Sequence, residues 1–386
     1  MSSNVTPLPL PLQPRALPPS AAPDFAELVS TSNFSFLHGG SHPEELVTAA
    51  AYMGLTAFGL TDRNSFAGVV RGYVKARDLK PDFPAFRYLV GVRLCFADGT
   101  PDIIAYPSNR LAYGRLCKLL TVANERGDKG KPILLLTDLF GSGDPASANE
   151  QGPPENYAHG QLFILLPDEA DWGLTERTLA QLAGQAPGAV WVAGALRFDG
   201  QDRARLNRVD ALAKRHSAPM LATNNVLYHE PDRRMVQDVV TCIREHLTLE
   251  SAGFSLAANA ERHLKPAGEM ARLFREHPDA IAETQRLVAR IAFSLDQLKY
   301  NYPEETVGNG ETAQQTLERL TWIGARRRYP FGIPDKIKRS LWSELCLIGY
   351  KGYAAYFLTV HDIVMFARNE RRILCQGRGS AANSAV

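Results

Sequence analysis

Near the C-terminal end of the sequence, the run Gln376-Gly377-Arg378-Gly379-Ser380-Ala381-Ala382-Asn383-Ser384 concentrates residue types that handle anions. Gly377 and Gly379 permit a tight turn with exposed backbone N–H groups. Ser380 suits the cap of a helix starting at Ala381, and Ser384, four residues on, would share its face. Backbone amides and the positive helix end favour phosphate, and Arg378 adds a full charge. Spacing alone leaves two readings open, an anion cradle or a tight strand-to-helix turn with no ligand. No GK[ST] follows, so the run is not a Walker A loop.

Other reactive side chains are dispersed. Cys95, Cys117, Cys242, Cys346 and Cys375 are odd in number and form no CxxC, which points to reduced thiols rather than a disulfide framework or zinc ribbon. The histidines (His38, His42, His159, His216, His229, His246, His263, His277 and His361) do not fall in ligand spacing and read as surface or structural residues. Arg326-Arg327-Arg328, Lys336-Ile337-Lys338-Arg339 and Arg371-Arg372 gather in the last third, each taken singly a solvated face, together able to meet a phosphate backbone. Tyr329, Phe331, Tyr353 and Tyr356 lie nearby with spacing that suits core packing more than base stacking.

The elements that must position these groups alternate. Strands are expected over residues 25–30, 55–60, 88–96, 102–106, 162–166, 190–195 and 220–222, and helices over 66–77, 111–123 and 202–216. A further helix is expected to be capped by Ser41, with Pro43 in its first turn and Gly54 at its stop. Residues 141–160 read as a loop. Such alternation implies an α/β fold with a parallel sheet, a barrel or an open doubly wound sheet, whose sites gather just after the strands. Beyond Pro231 helices dominate, over 233–245, 267–275, 280–292, 312–328, 342–348 and 356–368, and residues 373–375 read as a short strand.

The chain of 386 residues allows one large or two ordinary domains, and a net charge of +2 neither demands nor excludes a polyanionic partner. No apolar run is long enough to cross a bilayer, so no membrane partner is expected, and the thiols fit a cytoplasmic location. Residues 1–23 are proline-rich and read as a mobile leader.

The terminal run, together with Gly352-Tyr353-Ala354-Ala355-Tyr356-Phe357-Leu358-Thr359-Val360-His361-Asp362-Ile363-Val364, resembles bacterial C-family DNA polymerases, and within them the error-prone branch. So do Ser32-Asn33-Phe34-Ser35-Phe36-Leu37, His42-Pro43-Glu44-Glu45-Leu46 and Asn259-Ala260-Glu261-Arg262-His263-Leu264. The resemblance implies a polymerase-and-histidinol-phosphatase (PHP) type (β/α) barrel over residues 24–265. It implies a mainly helical segment over 266–386 leading into the polymerase palm. It also implies that Gly377, Arg378, Gly379, Ser380 and Ser384 help hold an incoming nucleotide triphosphate. The palm carboxylates that bind Mg²⁺ are expected beyond Val386, which would leave the chain unable to polymerise alone. Primer-template DNA, deoxynucleoside triphosphates, a sliding clamp and damage-tolerance proteins are the partners the resemblance implies.

An active barrel of that family carries His-x-His, Asp-His, Glu and Asp-x-His at its strand ends. The matching positions here are Val29-Ser30-Thr31, Asp62-Arg63, Arg93 and Asn225-Val226-Leu227. Val29 and Leu227 cannot coordinate, and Arg63 and Arg93 put positive charge where cations would sit. The expectation is a barrel without a metal cluster or phosphoesterase activity, in which Asp62 pairs with Arg63 or Arg93. A metal-dependent phosphoesterase and a non-catalytic scaffold are the alternatives.

Overall fold

A computed structural model describes residues 23–141, 156–298, 310–377 and 383–386. The chain divides into two compact units, the first running to Leu298 and the second from Lys299.

The first unit is built on seven strands: β1 (Ala26–Glu27), β2 (Ala57–Arg63), β3 (Arg87–Leu94), β4 (Ile103–Pro107), β5 (Gln161–Leu165), β6 (Val190–Gly194) and β7 (Met220–Ala222). They lie in sheet order one to seven. Past β7 the ends meet: Thr31 N–H donates to the Val226 carbonyl (2.9 Å) and Val226 N–H to that of Val29 (2.8 Å), bridging the seam of a nearly closed barrel. Closure removes the edges that an open sheet would expose.

The strands are apolar on both faces because both are covered. Phe58, Leu60, Val90, Val92, Phe163, Leu165 and Val192 face outward into the layer under the helices. Their neighbours Ala57, Leu89, Ile104, Tyr106, Leu162, Ile164, Trp191, Ala193 and Leu221 fill the interior. The period of two is what a pleated strand dictates. Tyr106 spans the interior and donates its hydroxyl proton to the Leu28 carbonyl, 2.8 Å away. It fits because β2 and β3 present glycine beneath it. A methyl on Gly59 would meet the hydroxyl oxygen at 1.8 Å, and one on Gly91 the ring at 2.6 Å.

Helices α1 (Pro43–Tyr52), α2 (Val69–Leu79), α3 (Arg110–Arg126), α4 (Leu136–Leu139), α5 (Trp172–Gln185) and α6 (Asp202–Arg215) connect the strands. α1 is capped at His42, not at Ser41: the His42 N–H donates to Glu45 (2.8 Å), while the Ser41 hydroxyl pairs with His229 Nδ1 (2.7 Å). Gly54 takes the left-handed turn expected of it (φ +75°). β4 corrects the expectation of a parallel sheet, since it runs antiparallel to both neighbours. The β3–β4 link is too short for the dozen or more residues that a parallel crossover needs. α5 was not legible in the sequence, because its buried face mixes Thr175 and Thr178 with Leu179 and Leu182.

After β7 come α7 (Arg234–Glu245), α8 (Ala267–Leu273) and α9 (Pro278–Ala289). Leu287, Val288 and Ile291 join the interior cluster at the N-terminal ends of the strands. Arg87 donates to the Val288 (3.0 Å) and Ile291 (2.6 Å) carbonyls, and Trp191 Nε1–H to Glu283 (2.8 Å). α9 thus floors the barrel, and the compact unit extends past residue 265, where the sequence reading divided the chain.

The second unit holds α10 (Ala313–Arg328), α11 (Asp335–Lys351) and α12 (Ala354–Met365) around Leu317, Leu345, Ile348, Ala354 and Leu358. Trp342, Leu347, Tyr350 and Ile363 stand exposed on it. Phe331, Tyr353 and Tyr356 are exposed as well, which corrects their assignment to a core. Residues 373–375 form no strand, and Leu374 is almost fully exposed.

Replacing Gly59 by Ala is expected to cost roughly 1–3 kcal/mol of stability by overpacking against Tyr106. Urea unfolding measures it. The penalty should shrink in a Tyr106→Phe background, which removes the nearest atom; equal penalties in both backgrounds would refute the packing explanation.

Candidate functional site at the barrel rim

The seam brings both ends of the barrel chain to one rim. Beneath it, Glu27 is fully buried and accepts from the Thr223 hydroxyl, the Asn224 N–H (2.8 Å) and the Val29 N–H (2.9 Å). Burial pushes its pKa up to about 7, against those bonds. Ser30 and Thr61 reinforce β1 against β2: Thr61 Oγ1 donates to the Ser30 carbonyl (2.8 Å) and the Ser30 hydroxyl to that of Gly59 (2.5 Å).

At the rim Asp62 is fully buried. It accepts from Ser32 N–H (2.8 Å), the Ser32 hydroxyl (2.8 Å) and the Ser35 hydroxyl (2.7 Å). Burial raises its pKa, and the three donors oppose the rise. The expected pairing of Asp62 with Arg63 or Arg93 is therefore corrected. Both guanidinium groups turn to Asp102, Arg63 at 3.0 Å and Arg93 at 3.6 Å. Arg93 is 7% exposed and also donates to Asn225 Oδ1 at 2.5 Å. Asn225 sits in the left-handed region (φ +46°), and its carbonyl accepts two bonds from Arg262, at 2.8 and 2.6 Å.

The sequence-chosen strand-end positions Val29, Thr31, Asp62, Arg63, Arg93, Asn225 and Leu227 thus do converge. Thr31, Arg63, Arg93 and Leu227 line one cleft of about 220 Å³, with His38, Arg244 and Arg262. Sequence reasoning did not assign His38, Asp102, Arg244 or Arg262 to the rim. Asp102 was recoverable: once β4 is antiparallel, the residue before it lies at the same end as the C-termini of β2 and β3. Burial, with Arg63, Arg244 and Arg93 in that order, drives the His38 pKa down to about 4.

These residues do not fit a divalent-metal cluster. Asp62 is enclosed by three hydrogen-bond donors, and guanidinium groups occupy the neighbouring space. Among the described residues no group of three or more His, Cys, Asp or Glu side chains is disposed to hold a metal.

The terminal run is described in part. Arg378, Gly379 and Ser380 lie outside the described residues, as does the helix start expected at Ser380. Gly377 is exposed, and residues 384–386 are not helical. The Ser384 hydroxyl donates to Glu344 (2.6 Å), as does Ala385 N–H (2.9 Å). Arg326, Arg327 and Arg328 are exposed on the last turn of α10. Lys338 pairs with Asp335 (3.0 Å).

A model of the PHP domain matches residues 27–144, and one of the bacterial DNA polymerase III alpha NTPase domain matches residues 315–386. An error-prone DNA polymerase of Rhodopseudomonas palustris strain BisB5 is 50% identical over 369 residues, covering 94% of this chain and 31% of that protein. One from Bradyrhizobium sp. strain ORS 278 is 52% identical over 365 residues, covering 94% and 30%. The chain therefore spans under a third of the length of these curated relatives. An amidohydrolase structure from Chromobacterium violaceum aligns with 52% of this chain and 87% of its own at 14% identity, with a TM-score of 0.37. No helix among the described residues is long and apolar enough to cross a membrane.

The electrostatics of the rim predict how His38 titrates. NMR should find its ring neutral down to a midpoint of about 4. An unfolded chain takes the proton near pH 6.5, so His38 contributes stability above that pH and loses it as pH falls from 6.5 toward 4. A His38→Gln variant should lose less stability than the parent across that window. An ordinary midpoint for His38 would contradict its burial among these guanidinium groups.

Proposed function

We propose that this chain is the N-terminal part of an error-prone DNA polymerase, in which a PHP barrel without phosphoesterase chemistry supports the nucleotidyl-transfer domain. The observation that carries the barrel's half of this reading is the closing of Arg63 and Arg93 onto Asp102 over the strand ends, where metal ligands would otherwise converge. The relatives' printed name, with identity over nearly the whole chain, supports the other half.

In this reading primer-template DNA and deoxynucleoside triphosphates are the substrates, and copying past damaged bases during repair is the task. A cytoplasmic location follows from the substrate. Gly377, Arg378, Gly379, Ser380 and Ser384 form part of the triphosphate site. The Ser384 hydroxyl and the Ala385 amide already turn toward the Glu344 carboxylate, which supports their disposition toward an anion. Mg²⁺ would activate the primer hydroxyl and steady the departing pyrophosphate on carboxylates supplied outside this chain. A sliding clamp and damage-tolerance proteins complete the proposed partners. The exposed Trp342, Leu347, Tyr350 and Ile363 fit a unit that packs against further protein.

Two measurements test this. Elemental analysis of the purified chain should find no stoichiometric zinc, manganese or iron, and no phosphomonoester should be hydrolysed. Stoichiometric metal with turnover would return the barrel to the phosphoesterases. Primer extension with Mg²⁺ is expected from a full-length protein carrying this N-terminal part and absent from the chain alone; extension by the chain alone would overturn the division of labour.

A further inference from the structure

We propose that the rim cleft is an oxyanion site that takes a single phosphoryl group, held by Arg63, Arg93, Arg244 and Arg262 with the Thr31 hydroxyl. The inference concerns the barrel alone and stands whether or not the parent protein copies DNA.

Charge is the first argument. Four guanidinium groups line about 220 Å³ together with one carboxylate, Asp238, which is paired with Arg234 outside the cleft. Arg63 and Arg93 share the single carboxylate of Asp102. Arg262 spends its bonds on the Asn225 carbonyl, and Arg244 on Glu245, the Leu37 carbonyl (2.8 Å) and His38 Nδ1 (3.2 Å). Asp62 is turned to its serines. His38, which also faces the cleft, is held neutral by burial and by these cations and brings no negative charge to offset them. Like charges so close in a partly desolvated space repel strongly, and an anion reverses the sign of that energy.

Unsatisfied donors are the second. Thr31 is 1% exposed and Arg93 7% exposed, yet Thr31 Oγ1 and Arg93 Nε have no hydrogen-bond partner. Both belong to residues that line the cleft. A buried donor without an acceptor is costly, and folded proteins rarely leave one unless something fills the place. Gln237 Oε1 on the same wall is an acceptor without a partner and can accept from a protonated phosphate oxygen.

Size is the third. Pockets for larger organic ligands enclose about 300–1,000 Å³, so this cleft admits a phosphoryl group rather than a whole nucleotide. Guanidinium forks match phosphate oxygens in pairs, which a metal ligand set does not need. Inorganic phosphate, pyrophosphate and a backbone phosphate of single-stranded DNA all present this chemistry.

Calorimetric titration of the intact chain with inorganic phosphate, pyrophosphate and a short single-stranded oligonucleotide tests the proposal, with the His38 ring followed by NMR. Saturable binding of at least one probe is expected, accompanied by a rise in the His38 midpoint. Preference among the three then identifies the source. Arg93→Gln should weaken binding roughly tenfold or more. Arg244→Gln, which spares the bond to Asn225, should weaken it too and guards against misfolding of the first variant. Arg203→Gln, remote from the cleft, should change nothing. No saturable binding of any probe, or binding indifferent to both cleft variants, would overturn the site.

Discussion

The seam between the first and last strands is the constraint from which the rest follows. Two backbone hydrogen bonds join the Val29–Thr31 segment to Val226, and the Glu27 carboxyl ties Val29 to Thr223 and Asn224 from beneath. Residues far apart in sequence are thereby set on one circle. Because parallel strands end on the same side, closing the sheet compels their last residues to face each other across a small distance. What those residues are then decides the chemistry of the rim.

Here they are mostly cations and hydroxyls. A metal cluster needs several N or O ligands with their lone pairs directed at one point. Asp62 is the remaining carboxylate at the sequence-matched positions, and its lone pairs are taken by Ser32 and Ser35. Arg93 reaches across to Asn225, so the rim is cross-braced by hydrogen bonds. Positive charge at this rim is carried by guanidinium side chains.

How much of this was legible in the sequence depended on what each residue's signal measures. The strands were legible because sheet faces buried on both sides demand unbroken apolar runs, as in residues 190–194. The direction of β4 was not, since alternation reads the same either way; the short connection before it held that information. α5 was missed because threonines serve as its buried face. Asp62 and the two arginines lie at the rim, and their partners were not legible, because Asp102 enters from a strand running the opposite way. The division of the chain at residue 265 came from the family resemblance, whereas the compact unit follows packing, and α9 packs into the interior.

That last helix has a consequence for how the molecule is made. A ribosome releases the seven strands before it releases Leu287, Val288 and Ile291, the side chains that stopper the barrel's lower mouth. Until they emerge, Trp191 lacks its acceptor on Glu283 and the Arg87 guanidinium lacks the carbonyls it holds. The floor of the barrel is therefore completed only by a segment synthesised after its last strand.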